Sequence, residues 1–428
     1  MTRANPIAAL TLLSVIGLSA QDIGGDWQGM LKTPREETRV VIKIEKDTDG
    51  GWNATEFTAD EGMNGIPADS VTLQDSGLKL TFNRIRGTYE GTIAEDGASM
   101  TGTWTQGQSL PLDLERATEE TSWLRDTTRH DERFIAVEVD VKLEVLDWGG
   151  SGRALVLLHG LGNNAHVFDK FAPKLTGSYH VYGITRRGSG ASSAPAPADG
   201  NYSADRLGDD VLAVIDALRL DRPVLAGHSL GGAELSSIGS RRPDKVAGLI
   251  YLDAGYSYAF YNRSEGDFFI ELNEVRRKLD QLGNMTQGSK SVIDELLETN
   301  LPELERSLRR TQERLKSAPP RASPATPRPR PRIPPIQGAI RAGMQRYTDI
   351  PAPILAIYAF GTISGPEGSR QRSASESRNQ HKLDQAQAFE EGLPSAKVVR
   401  LTDASHYVFR SNEADVLREM ETFITGLP

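Results

Sequence analysis

Six short, almost uninterrupted apolar runs punctuate the second two-thirds of this chain: ALVLLHG, HVYGIT, PVLAGHS, VAGLIYLDA, PILAIYAF and AKVVRL. A strand that does not alternate apolar with polar residues is covered on both faces. Helix-like segments separate most of the runs. In SADRLGDDVLAVIDAL, for example, Leu207, Val211, Val214, Ile215 and Leu218 fall on one helical face. Buried strands alternating with amphipathic helices predict an α/β fold around a mostly parallel sheet.

Several of these runs end in residues that carry chemistry. GHSLG, residues 227–231, fits G-x-S-x-G between a buried strand pattern and a helical one. That spacing seats Ser229 on a sharp strand-to-helix turn, where small residues on either side let strand and helix approach. The helix start also aims backbone N–H groups at a developing negative charge. LVLLHGLG ends a second strand in a glycine turn, ITRRGSGASS follows a third, and LTDASHYVF places His406 just after the last strand, before a helix from about Glu413. Of the seven histidines (130, 159, 166, 180, 228, 381 and 406), His406 alone stands at a terminal-strand position. No H-x-x-x-H or H-E-x-x-H pair occurs, there is no cysteine, and GSGASS lacks the lysine and spacing of a phosphate loop, so neither a metal nor a nucleotide is expected.

These four motifs, in this order, resemble the α/β-hydrolase fold family over residues 135–428, and in particular its esterase-like group with a helical cap after the sixth strand. The resemblance implies Ser229 as nucleophile and His406 as general base. It implies an oxyanion hole from the backbone N–H groups of Leu161 and Leu230, with His159 structural. The acid has two candidates. Most members carry it after the seventh strand, where IYAFGTISGPEGSRQ offers only Glu367; a subset, including some haloalkane dehalogenases, carries it after the sixth, where LIYLDAG offers Asp253. The resemblance favours Asp253, while Asp403, three residues before His406, reads as a turn residue.

The implied chemistry is hydrolysis of a carboxylic ester of a small molecule through an acyl-enzyme, without cofactor. Serine at the elbow argues against dehalogenase or epoxide hydrolase chemistry, which needs a carboxylate nucleophile. The same fold also supports lactonase, amidase, carbon–carbon hydrolase and haloperoxidase reactions, and slow-turnover ligand receptors.

Nearly a hundred residues separate YLDAG from PILAIYAF, and a cap insertion is expected at about 255–350. Phe268, Leu272, Val275, Leu279 and Leu282 follow helical spacing, as do Leu301, Leu304, Leu308 and Leu315 after a break at Pro302. The proline-rich APPRASPATPRPRPRIPPIQ, with eight prolines over 319–335, reads as an extended excursion of the cap.

Residues 21–118 alternate apolar and polar positions, as in TRVVIKIEK and LKLTFNRI, and predict antiparallel β structure. GDWQG, GTYEG and GTWTQG each place an aromatic two residues after a glycine, as though to fill the interior of a small curved barrel. This region resembles the lipocalin-like domains found ahead of bacterial hydrolase domains. A charged linker, 119–134, follows.

Residues 1–20 read as an export signal: Arg3, an apolar run over 7–18, and LSA ending at Ala20. The run is shorter than the ~20 residues of a bilayer span, so a periplasmic or secreted protein without lasting membrane insertion is expected. A net charge of −9 argues against a nucleic-acid partner. The sequence does not specify an oligomeric state.

Overall fold

A computed structural model gives the fold and describes residues 22–32, 37–47, 49–58, 65–118, 120–123, 129–198, 200–283, 289–317 and 334–428. The expected export signal and residues 319–333 of the proline-rich stretch lie outside these residues.

The N-terminal region is one antiparallel sheet. Its strands are β1 (Gly25–Lys32), β2 (Glu37–Lys46), β3 (Trp52–Thr58), β4 (Ile66–Pro67), β5 (Ser70–Gln74), β6 (Gly77–Phe82), β7 (Gly87–Ile93), β8 (Ser99–Gln106), β9 (Gln108–Pro111) and β10 (Leu114–Arg116). They pair in the order β4-β3-β2-β1-β10-β8-β7-β6-β5, with β9 on β8, and curl as a half-barrel. The three repeated aromatics, Trp27, Tyr89 and Trp104, are buried together in its core. Glycines serve two of them, Tyr89 and Trp104, directly. A Cβ on Gly87 would stand 2.8 Å from the Trp104 ring, and one on Gly91 or Gly102 would fall within 2.6 Å of the Tyr89 hydroxyl. They clear room for rings as well as easing curvature.

The second sheet contains β11 (Asp131–Glu138), β12 (Val141–Gly149), β13 (Ala154–Leu158), β14 (His180–Ile184), β15 (Val224–His228), β16 (Gly248–Leu252), β17 (Ile354–Phe360) and β18 (Ala396–Thr402). Their order is β11-β12-β14-β13-β15-β16-β17-β18; β11, β12 and β14 pair antiparallel, the rest parallel. The first strand starts at Asp131, within the charged stretch between the two regions. Successive residues feed two separate cores. Leu249 and Tyr251 of β16 join one face, with Ile354, Ala356 and Tyr358 of β17; Ile250 and Leu252 join the other, with Leu355, Ile357 and Ala359. That double covering is why these strands carry no polar alternation.

Helices α1 (Ala204–Ala217) and α2 (Gly231–Arg241) pack against each other on this sheet. Between β16 and β17 come α3 (Phe268–Gln281), α4 (Ser289–Glu295), a π-helical turn (Leu296–Asn300), α5 (Leu301–Ser317) and α6 (Pro335–Ala342). Two expectations need correction here. The helix does not break at Pro302, which occupies the second position of α5, directly after the wide π turn. The proline thus sits inside a continuous helical run, where the wider π turn before it relaxes the regular α pattern that a proline otherwise interrupts. Nor is the proline-rich stretch extended to its end: Pro334 caps α6 and Pro335 is its first residue, a position suited to fixed φ and a missing N–H. The chain closes with α7 (Arg370–Gly392) before β18, then α8 (Val408–Ser411) and α9 (Glu413–Thr425). Among the described residues no helix is long and apolar enough to cross a membrane.

Candidate active site

Ser229 stands at the end of β15 with φ +50°, a left-handed conformation that a side chain adopts only at a cost. The turn is held by Ser229 N–H donating to the Leu252 carbonyl (3.2 Å) and Gly232 N–H donating to the Ser229 carbonyl (2.9 Å). The flanking glycines are steric necessities. A Cβ on Gly227 would lie 2.8 Å from the Gly231 backbone, one on Gly231 would lie 2.9 Å from the Leu158 carbonyl oxygen, and one on Gly232 would collide with the Ala254 carbonyl oxygen.

The glycine turn after β13 presses on the same point: a Cβ on Gly160 would be 3.0 Å from Ser229 Cβ. Leu161 and Leu230 both pack in the apolar cluster that includes Ile340 of α6. His159 is fully buried and locked. Its Nε2 accepts from Arg186 N–H (2.9 Å), so its Nδ1 carries the proton and donates to the Gly160 carbonyl (2.7 Å). Burial, and then the Arg186 charge, hold its pKa well below the usual histidine value, so it is neutral. A buried ion pair clamps this turn to α2. Arg186 Nη2 donates to the His159 carbonyl (2.7 Å) and to Glu234 Oε2 (3.1 Å), while its Nε donates to Glu234 Oε1.

His406 meets Asp253. Its Nδ1 lies 2.7 Å from Asp253 Oδ2. Asp253 follows β16 with φ +45° and a completely buried carboxylate. Ala359 N–H donates to Oδ1 (2.9 Å), and the Tyr256 hydroxyl and Lys382 Nζ each donate to Oδ2 (2.8 Å). Burial pushes the Asp253 pKa up, but the hydrogen bond from His406 and the charge of Lys382 outweigh it, and the net shift is downward. Glu367, the other acid candidate, is exposed on the loop after β17 and makes no hydrogen bond to His406. Asp403 sits in a turn with φ +52°, accepting from the Thr362 hydroxyl (2.8 Å).

Sequence reasoning missed four neighbours. Tyr256 and Lys382 load the Asp253 carboxylate. Tyr258 stands beside the Ser229 hydroxyl; burial pushes its phenol pKa far up, and the hydroxyl offsets that in part. His228 supports His406 from below, its ring centroid 4.6 Å from that of His406, with Nε2 donating to the His406 carbonyl (3.0 Å). Burial, and then the nearby His406, lower its pKa to about 3, so it too is neutral. Tyrosines in a loop and a lysine on a polar helix carry no pattern that marks them. His228 was visible within the elbow, but its contact was not.

A cavity of about 830 Å³ opens beside the glycine turn. Leu161, Asn163, Ile336, Ile340 and Tyr407 line it, together with Arg84 from the turn between β6 and β7. Among the described residues no cluster of histidines and acids could hold a metal ion.

A family model described as "Alpha/beta hydrolase family" matches residues 155–419, and the chain belongs to that family. A fluoroacetate dehalogenase from a Burkholderia species is 37% identical over 124 residues, which cover 28% of this chain and 40% of that protein. A 2-(acetamidomethylene)succinate hydrolase from Mesorhizobium japonicum is 28% identical over 124 residues, 28% of this chain and 44% of the relative. The match therefore spans less than half the length of these curated relatives. A solved structure of E-2-(acetamidomethylene)succinate hydrolase covers 70% of this chain and 100% of its own at 21% identity, with a TM-score of 0.43.

Proposed function

We propose that this protein is a serine hydrolase that cleaves carboxylic esters of small molecules through an acyl-enzyme, with Ser229, His406 and Asp253 as its triad. The observation that carries the reading is the 2.7 Å contact between His406 Nδ1 and the buried, charged Asp253 carboxylate. In this reading Nδ1 carries the proton that Asp253 accepts and Nε2 acts as the base.

In this mechanism His406 Nε2 takes the Ser229 proton as Oγ attacks the ester carbonyl. Asp253 stabilises the resulting imidazolium. The N–H groups of Leu161 and Leu230 receive the oxyanion. As the tetrahedral intermediate collapses, the carbon–oxygen bond to the leaving group breaks and His406 returns the proton to the departing alkoxide. Water, deprotonated by His406, then attacks the acyl-enzyme and Ser229 leaves with its proton restored.

Relatives named as dehalogenase and epoxide hydrolase leave alkyl chemistry as the rival. A serine at position 229 offers an alkoxide, whereas displacement at an alkyl carbon calls for a carboxylate. Export to the periplasm or medium, through residues 1–20, belongs to the same proposal.

The test is labelling of the purified protein with a fluorophosphonate, alongside a panel of p-nitrophenyl esters, amides and lactones. Covalent modification at Ser229, absent in Ser229→Ala, with turnover of esters, is expected. An unlabelled Ser229, or turnover only of alkyl halides or epoxides, would overturn the proposal.

A further inference from the structure

Three parts of the chain build the cavity beside the glycine turn. The second sheet's loops supply Leu161 and Tyr407, the cap supplies Ile336 and Ile340 of α6, and the N-terminal region supplies Arg84 and Ile85. Its volume, about 830 Å³, suits a small organic molecule. Leu161, Ile336 and Ile340 share one apolar cluster, so the wall nearest the glycine turn is apolar. The charged groups elsewhere in the lining then decide which apolar-bodied molecules fit.

The acids of the lining are already engaged. Glu144 is buried, its Oε2 accepts from the Thr185 hydroxyl (2.5 Å), and burial raises its pKa. Glu56 is buried and accepts from the Thr58 hydroxyl (3.0 Å). His166 has its Nδ1 3.0 Å from the Asp169 carboxylate. Two cations of the lining are not engaged. Arg84 is half-buried and Arg341 of α6 is exposed, and among the described residues neither guanidinium meets an acid or a carbonyl. Both therefore have their donors free for a ligand.

Helix α6 sets the distance. Gln337 Nε2 stands 3.6 Å from the place that a Cβ on Gly162 would take. Arg341 follows four residues later on the same face, one turn or ~5.4 Å further along. We infer that the esters this site takes carry a second, ionised group: a carboxylate a few bonds from the scissile carbonyl, held by Arg84 and Arg341. The inference rests on the serine-hydrolase reading above and gives it a substrate class. It also gives the N-terminal region a part in choosing the substrate. A planar guanidinium meets a carboxylate through paired N–H donors, and a neutral group forfeits the charge in that contact. The acids in the same lining favour a singly charged carboxylate over a dianionic phosphate. Arg84 should weigh more than Arg341, whose exposed charge is screened by water.

Two ester pairs test the inference. One has the carboxylate in the acyl half, mono-p-nitrophenyl adipate, and the other in the alcohol half, 4-acetoxybenzoate. Each is compared with the primary amide that replaces its carboxylate. In at least one pair kcat/KM should favour the carboxylate by about tenfold or more, mainly through KM. Arg84→Met should remove most of that preference and Arg84→Met/Arg341→Met the remainder, while Arg84→Lys should keep part of it. The readout is the ratio within a pair, so a general loss of activity does not imitate the effect. Equal rates within both pairs overturn the inference, as does a preference that survives the double substitution. Calorimetry separates binding from reaction. Ser229→Ala should bind adipate or 4-hydroxybenzoate, and Ser229→Ala/Arg84→Met should bind it at least about tenfold more weakly. Arg84-dependent binding without turnover of any ester would overturn the serine-hydrolase reading and uphold the carboxylate site.

Discussion

Lys382 and His406 converge on a single oxygen: Lys382 Nζ at 2.8 Å and His406 Nδ1 at 2.7 Å both meet Asp253 Oδ2. The lysine also donates to the Ala359 carbonyl (2.8 Å), which fixes it against β17. Asp253 thus divides its charge between a permanent cation and the histidine that the proposed mechanism asks it to stabilise. Removing the lysine charge should return the full carboxylate to His406, which then holds a proton more tightly. Because the unprotonated histidine is the base, Lys382→Met should move the acid limb of the kcat/KM profile to higher pH, by roughly 1 pH unit. The pH dependence of p-nitrophenyl acetate hydrolysis measures it. An unmoved limb would make Lys382 a packing residue only.

The two acid candidates separate in one experiment. Asp253→Asn leaves the shape nearly intact but substitutes a neutral amide for the carboxylate that orients His406, and kcat should fall about 10⁴-fold. Glu367→Gln, on an exposed loop, should leave kcat unchanged. A stability signature accompanies the first variant. The Asp253 pKa is depressed below its ordinary 3.8, so the ionised group contributes stability in full above that value. The contribution fades as pH falls through the lower, folded pKa. The gap in urea stability between wild type and Asp253→Asn should therefore be widest near neutrality and narrow below about pH 4.

What could be read in the sequence and what could not follow from where each residue sits. Ser229 and Asp253 directly follow continuous apolar strands and His406 lies a few residues past the last one, so chain order alone brings them to one end of the sheet. Trp27, Tyr89 and Trp104 were legible because each repeats one glycine–x–aromatic pattern, but which glycine clears room for which ring was not, since Gly87 serves Trp104 and Gly102 serves Tyr89 from the adjacent strand. Lys382 was not legible. It lies on α7, whose exposed face is almost wholly polar, and only the packing of α7 on β17 and β18 aims it at Asp253. The same holds for α5: the three-four spacing of its leucines was plain, but spacing identifies an apolar face without saying which way it turns. There the buried Glu303 and Ser307, paired with Arg346 and Arg310, decide the orientation.

The positive φ of Ser229 makes a prediction about stability that is opposed to activity. A residue with a Cβ is strained in this region and glycine is not. Ser229→Ala and Ser229→Gly should both be inactive, yet the glycine variant should be the more stable of the two by about 1 kcal/mol. This reverses the usual ordering of alanine over glycine in regular structure. Paired urea melts of the two variants give the difference directly. Alanine at least as stable as glycine would mean that the turn is not strained.

The Arg186–Glu234 pair should behave as a buried clamp rather than a surface salt bridge. Both side chains are almost wholly inaccessible, at 3% and 4%, and Arg186 also holds the His159 carbonyl at the start of the glycine turn. Glu234→Gln leaves the guanidinium charge buried without a counter-charge, and should cost about 3–5 kcal/mol. The double variant Arg186→Met/Glu234→Leu removes both charges and should recover much of that loss, because an apolar pair of similar size avoids the desolvation penalty. Its activity should not recover in step, since the turn carrying Leu161 has lost the donor that tied it to α2. Urea denaturation and ester turnover measured on the same samples separate the two effects. A double variant as active as wild type would show that the clamp serves stability alone.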